Sequence, residues 1–408
     1  VSNTFGWITL PWTLRPDTLV GATVLIILAA LLGEVVWRVL RWPRLMGYCA
    51  VGAVLALSGK GLDPWAPGVA MGLAVDVALA LLLFEAGARV NLRWLRRNPL
   101  LLATSLAEAA LSAIAVYVTA RWLDTPVSVA LVLATVTMSV SPGVVLRVIS
   151  ETGAAGQVTE RLITLSALNT LYALLLSRLL HAWLQVDIAT EVWSALGQAL
   201  FAFCGSLLLG AVLGWVISLI ARRLDLRNEN STMLLLGFVL LALVIAKTLQ
   251  LSTLLVPLLA GMWLRNGSER PWVWPRHFGT AGGVLVLVLF VAVGSLWSPA
   301  VIASGGLFAA AMLCARFVAK MLAVVGFARP SGSSLRQAVA LSVTLLPLSA
   351  TAWVMALEFI SLPGSFAREL LPPLLAAIAW VELLGPLATL YGLRFAHEMD
   401  AAEASDHR

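Results

Sequence analysis

The residues best placed to do chemistry fall in two neighbouring stretches. Ala130–Ile149 reads ALVLATVTMSVSPGVVLRVI, with Thr135, Thr137, Ser139, Ser141 and Pro142 set into an apolar run. Leu162–Leu180 reads LITLSALNTLYALLLSRLL, with Ser166, Asn169 and Thr170 in its first half. Polar groups at membrane depth are costly, so they point to a functional cavity. Pro142 lacks a backbone donor and clashes with the preceding turn, so the first helix is expected to break near its middle. A broken helix beside a polar one is how many transporters assemble a substrate site. Hydroxyls and amides can coordinate an ion, but they do not titrate near neutral pH. Neither stretch carries an acid at its centre.

Ionisable groups away from predicted span ends are few: Glu34, Asp76, Glu85, Glu108, Arg316, Lys320, Glu358 and Glu382. Arg316 and Lys320 are four apart and share a helix face. A buried lysine is expected to pair with an acid or lose its proton. Glu382, mid-span in AAIAWVELLGPLA, is the expected partner, and Glu108, in SLAEAALSA, is also central. The plainer reading of Lys320 is snorkelling to the interface about eight residues away. Asp76 and Glu85 sit nearer the ends of their span, where Glu85 can meet Arg89 on the next turn.

The elements holding these groups are helices in a bilayer. Of 408 residues, 60% are hydrophobic and 12% charged, about half the charged share of a soluble domain. Thirteen spans are expected: 18–38, 45–58, 69–88, 99–121, 127–149, 162–183, 193–221, 232–249, 252–264, 281–297, 306–328, 337–360 and 370–394. Arginines gather on alternate loops, after the odd-numbered spans, which places the N-terminus outside and the C-terminus in the cytoplasm of a cell that carries the chain in its inner or plasma membrane. The net charge of +6 is then a matter of orientation and not of nucleic-acid binding. Trp7, Trp12, Trp94, Trp122, Trp183, Trp272 and Trp274 lie at predicted interfaces, where indoles anchor.

An odd count with opposite termini permits two inverted six-helix halves, about 18–183 and 232–394, joined by a linker helix over 193–221 and followed by a polar tail, 395–408. Pro142 and Pro347 (in TLLPLSATAW) then break the fifth element of each half, a pairing that marks transporter sites. Each proline alone could simply kink a packed helix. Cys49, Cys204 and Cys314 have no metal or redox spacing and read as small core residues. No metal, cofactor or nucleophile–base set is expected, and an enzyme is not.

Four motifs resemble the cation/proton antiporter superfamily, in order along the chain. LLLFEAGARVNLRWLRRN is similar to its third-span signature and basic loop. SPGVVLRVISETG is similar to its broken helix, ERLITLSALNTLYALLL to the helix bearing its Asn-Asp or Asp-Asp pair, and ARFVAKML to its eleventh helix with a basic residue. The resemblance implies a homodimer whose core domain moves like an elevator, exchanging a monovalent cation for protons. It implies that the second acid of the pair binds cation and proton in competition. Asn169 matches; Thr170 stands where the acid belongs, and Ser141 where many relatives carry Asp before proline. Three readings follow. The coupling acid has moved to Glu382, Glu108 or Asp76. Or the fold carries an anionic or organic solute past Ser139, Ser141, Asn169, Thr170 and Lys320. Or the chain is a transport-inactive sensor or assembly protein.

Overall fold

A computed structural model describes residues 18–60, 70–188, 192–223, 229–267, 276–297, 299–348, 350–360 and 366–399. Among them there are helices and no strands. The helices are α1 (Thr18–Val35), α2 (Arg44–Leu55), α3 (Ala70–Arg89), α4 (Leu92–Arg97), α5 (Pro99–Trp122), α6 (Val127–Thr137), α7 (Pro142–Thr152) and α8 (Gln157–Ile188). The second half of the chain holds α9 (Val192–Arg223), α10 (Glu229–Thr248), α11 (Leu255–Gly267), α12 (Arg276–Gly294), α13 (Pro299–Gly326), α14 (Leu335–Thr344), α15 (Ala350–Ile360) and α16 (Phe366–Phe395). Short π turns extend α1 over Val36–Leu40 and α2 over Ala56–Lys60. Trp7, Trp12, Trp272 and Trp274 lie outside the described residues, whereas Trp122 and Trp183 point outward.

Among the described residues, seven helices are long and apolar enough to cross a membrane. Many Leu and Val side chains on α1, α9 and α10 face outward. Exposed apolar area on that scale belongs against lipid or another chain. Cys204 and Cys314 face outward too, so the expectation that all three cysteines are core residues holds only for Cys49. Small residues suit membrane helices that must approach closely.

Local signals set the helix ends. Ser141 caps α7, its Oγ accepting from Val144 N at 3.2 Å, with Pro142 at the first helical position and Gly153 left-handed (φ 64°) beyond the end. Ser334 and Gln337 form a capping box at the start of α14. Asn91 caps α4, a short helix within the predicted basic loop.

The helices sort into two packing groups. One is built from α1–α3 and α9–α12, the other from α5–α8 and α13–α16; contacts within each group outnumber those between them. Glycines bring the first group together. A Cβ on Gly87 would strike the Leu258 carbonyl of α11, and one on Gly261 the Phe84 carbonyl of α3. In the second group the predicted fifth and twelfth spans are each two half-helices, α6/α7 and α14/α15, broken at 138–141 and 345–348. The breaks cross, and Ser141 donates its backbone N–H to the Pro347 carbonyl at 2.9 Å.

Candidate functional site

Breaking a helix leaves carbonyls unsatisfied at one side of the gap and N–H groups at the other. Arg316, fully buried on α13, answers the carbonyl side of both breaks. Its Nε donates to Thr137 O (2.6 Å), Nη1 to Leu346 O (2.8 Å), and Nη2 to Ser139 O (2.9 Å) and Leu345 O (3.5 Å). One guanidinium thus meets the negative ends of α6 and α14 together. Ser139 Oγ donates to Val136 O at 2.8 Å, and Ser141 Oγ is engaged as the α7 cap. Ser139 thus faces the break itself, whereas Ser141 also borders a small void at the starts of α7 and α15.

One turn along α13, Lys320 forms an ion pair with Glu108 of α5, and both side chains are wholly buried. The expected partner, Glu382, is not there: α16 carries it to α2, where Cys49 Sγ donates to its Oε1 at 3.4 Å. Sequence position placed both acids mid-span. It could not show which of them α13 faces, because that depends on how three distant helices rotate. The outward, snorkelling alternative for Lys320 does not occur.

The other carboxylate oxygen of Glu108 accepts from Asn169 Nδ2 at 2.5 Å. Asn169 Oδ1 is buried without a hydrogen-bond partner. Beside it, Thr170 Oγ1 lies 2.7 Å from Val140 O in the first break and 2.8 Å from Ser166 O. The structure therefore gathers Glu108, Lys320, Asn169 and Thr170 around the unwound segment after α6. All four are 0% exposed, so the cluster is occluded. Asp76 lies elsewhere, half-buried on α3 and ion-paired with Lys247 of α10. Among the described residues no group of His, Cys, Asp and Glu could hold a metal ion.

Two cavities lie beside the crossed helices, one along α7 and one along α15. A space of about 140 Å³ runs along α7, lined by Leu82, Glu85, Arg89, Leu146, Arg147 and Ser150. A larger one of about 700 Å³ runs along α15 and the far end of α8, lined among others by Arg178, His181, Gln185, Lys247, Val354 and Glu358. There Arg178 Nη2 meets Glu358 Oε1 at 2.6 Å. Between them a void of only about 10 Å³ sits at the starts of α7 and α15, against Leu82 and Phe290.

The sequence reading did not identify two contacts on the arginine-rich side. Glu398, after α16, accepts from Val158 N (2.6 Å), Thr159 N (2.7 Å) and Thr159 Oγ1 (2.7 Å), capping the helix that carries Asn169. Arg161 donates to Ser331 Oγ (3.0 Å), Ser331 O (2.5 Å) and Ser333. Acidic character just before a helix start is a recognisable cap signal, but here the acid comes from the other end of the chain.

Crossed half-helices, a buried acid and a buried base at the gap, and a cavity along each of α7 and α15 describe a secondary transporter. The family described as sodium/hydrogen exchanger, transmembrane, matches residues 24–389, and the chain belongs to it. Its fold is similar to the structure of the sodium proton antiporter MjNhaP1 from Methanocaldococcus jannaschii at pH 8, with TM-score 0.65 and 16% identity over 95% of this chain and 98% of that one. An electron-microscopy structure of MjNhaP1 aligns with TM-score 0.68 and 15% identity over 93% and 97%. No curated protein matches the chain in sequence.

Proposed function

We propose that the chain exchanges a monovalent cation for protons across a membrane, with Glu108 as the group for which they compete. The observation that carries this is the placement of Glu108: paired with Lys320 on one oxygen, 2.5 Å from Asn169 on the other. A carboxylate is what Thr170 lacks, and α5 delivers one from outside the motif. Cation, proton and the Lys320 ammonium can each neutralise Glu108, and only one need do so at a time. A cation that takes the carboxylate displaces the ammonium, which is then left without a partner and gives a proton to water. When the proton returns, the pair reforms and the cation leaves. Asn169 Oδ1, Thr170 Oγ1 and the Val140 carbonyl are further oxygens for a dehydrated cation.

Alternating access is supported by the occluded cluster and by the separate cavities along α7 and α15. The inverted halves, about 18–183 and 232–394, are supported by the matching order of broken helix and long helix, α6/α7–α8 and α14/α15–α16. The family supports a homodimer, and the arginine pattern supports an inner or plasma membrane with the N-terminus outside. The alternative of an anionic or organic solute needs a free cation at the centre. Lys320 is occupied by Glu108, which favours the cation reading.

Purified protein in lipid vesicles, with a trapped pH dye, tests this when Na⁺, K⁺ or Li⁺ is added outside. Lumenal pH is expected to change with at least one cation and with no anion tried in its place. Glu108→Gln is expected to lose the response. Wild-type exchange in Glu108→Gln would remove Glu108 from the coupling role.

A further inference from the structure

Glu382 is buried (2% exposed) and takes no part in the Glu108 cluster. Its Oε1 accepts from the Cys49 thiol, a weak donor, and its Oε2 is buried without a hydrogen-bond partner. It forms no ion pair among the described residues. Charged groups on the surrounding elements are engaged elsewhere. On α13, Arg316 serves the helix breaks and Lys320 serves Glu108. On α7, Arg147 Nε meets Glu151 Oε1 at 2.8 Å, and on α15 Glu358 meets Arg178. On α14, Arg336 donates to Phe395 O, and α6 has no ionisable side chain. On α2 itself, Arg44 pairs with Glu34 at 2.9 Å, and Tyr48 is the remaining ionisable neighbour of Cys49. On α16, Glu369 lies toward one end and Tyr391 and Arg394 toward the other.

A bare carboxylate with no cation and one thiol for company is not a stable occupant of a buried site. A carboxylic acid is. The position adds a second fact: α2 and α16 belong to different packing groups, so the Cys49–Glu382 contact crosses the boundary between them. Gly385, one turn on, faces the break at Pro347.

We infer that Glu382 is a second proton-binding site, separate from Glu108, which holds its proton while α16 is seated on α2 and exchanges it with water when that seam opens. The opening half of this rests on the alternating-access reading above. The site's ligand is a proton, bound on a carboxyl oxygen and released to water as hydronium, with nothing else consumed.

Infrared difference spectroscopy of the full chain in lipid, with Cys204→Ser and Cys314→Ser so that Cys49 is the sole thiol, tests the site. A buried neutral carboxyl band is expected, absent in Glu382→Gln, with the Cys49 S–H band shifted in the same variant. Should Glu382→Gln fail to fold, Cys49→Ala serves instead and is expected to shift the carboxyl band by removing its donor. A band that persists in Glu382→Gln, or that ignores Cys49→Ala, overturns the inference. Maleimide labelling of Cys49, read with and without a cation gradient, tests the opening: labelling that rises during turnover supports it. Labelling that stays at zero overturns the opening half, and points at the access reading, not at the proton site.

Discussion

Lys320 and Glu108 face each other across α13 and α5 with both side chains shut away from solvent. Removing one partner from a buried pair strands the other charge, at a cost of about 3–5 kcal/mol. Lys320→Met is therefore expected to lower the thermal unfolding midpoint of the detergent-solubilised protein substantially. The double variant Lys320→Met with Glu108→Gln should regain most of the loss, because a neutral amide replaces the stranded carboxylate. Equal midpoints for the single and double variants would mean that the two side chains are not coupled.

Arg316 is held by geometry as much as by charge. Its planar fork reaches carbonyls from two half-helices at 2.6–3.5 Å, and an ammonium cannot span them. Arg316→Lys keeps the charge and loses the fork. It is expected to destabilise the protein by about 2–3 kcal/mol, as two or more buried carbonyls lose their donors, and to reduce exchange in vesicles. A variant with wild-type stability and flux would show that the crossing does not need the fork.

The bundle was legible in the sequence because its signals are local. Composition and span length gave a helical membrane fold, with Pro142 opening the half-helix after the first gap and Pro347 inside the second. The α13 face carrying Arg316 and Lys320 followed from a spacing of four. What those two residues touch did not follow. Glu108 and Glu382 have the same local character, acids in the middle of apolar helices, and only packing separates the ion-paired one from the one against a thiol. Thr170 was readable as a missing acid. The carboxylate that lies beside it, Glu108, comes from α5, more than sixty positions upstream, where no motif marks it. Glu398 was lost in a tail read only as polar, since its partners at the start of α8 are close only after folding.

Helix approach in the first packing group depends on missing side chains. At Gly261 any Cβ would overlap the Phe84 carbonyl of α3, and backbone cannot step aside as a flexible side chain can. Gly261→Val is expected to abolish a monodisperse peak in size-exclusion chromatography. Gly237→Val, on α10 where a Cβ meets nothing within 4 Å, is expected to leave that peak in place. Similar profiles for the two would show that α3 and α11 can separate without penalty.

Glu398 ties the end of the chain to the start of α8 through two backbone donors and one hydroxyl. An anionic cap at a helix N-terminus satisfies N–H groups and answers the positive end of the dipole. Glu398→Ala removes all three bonds and leaves Val158 and Thr159 N–H groups buried without the acceptor. A loss of about 1–3 kcal/mol is expected. It should be concentrated in the first turns of α8, because the rest of that helix is held by packing. Amide hydrogen exchange reads it directly: exchange at Val158 and Thr159 should accelerate in the variant while the region around Asn169 and Thr170 stays protected. Acceleration spreading to Asn169 would mean that the tail supports the ion site itself, and no change at Val158 would mean that the cap is dispensable.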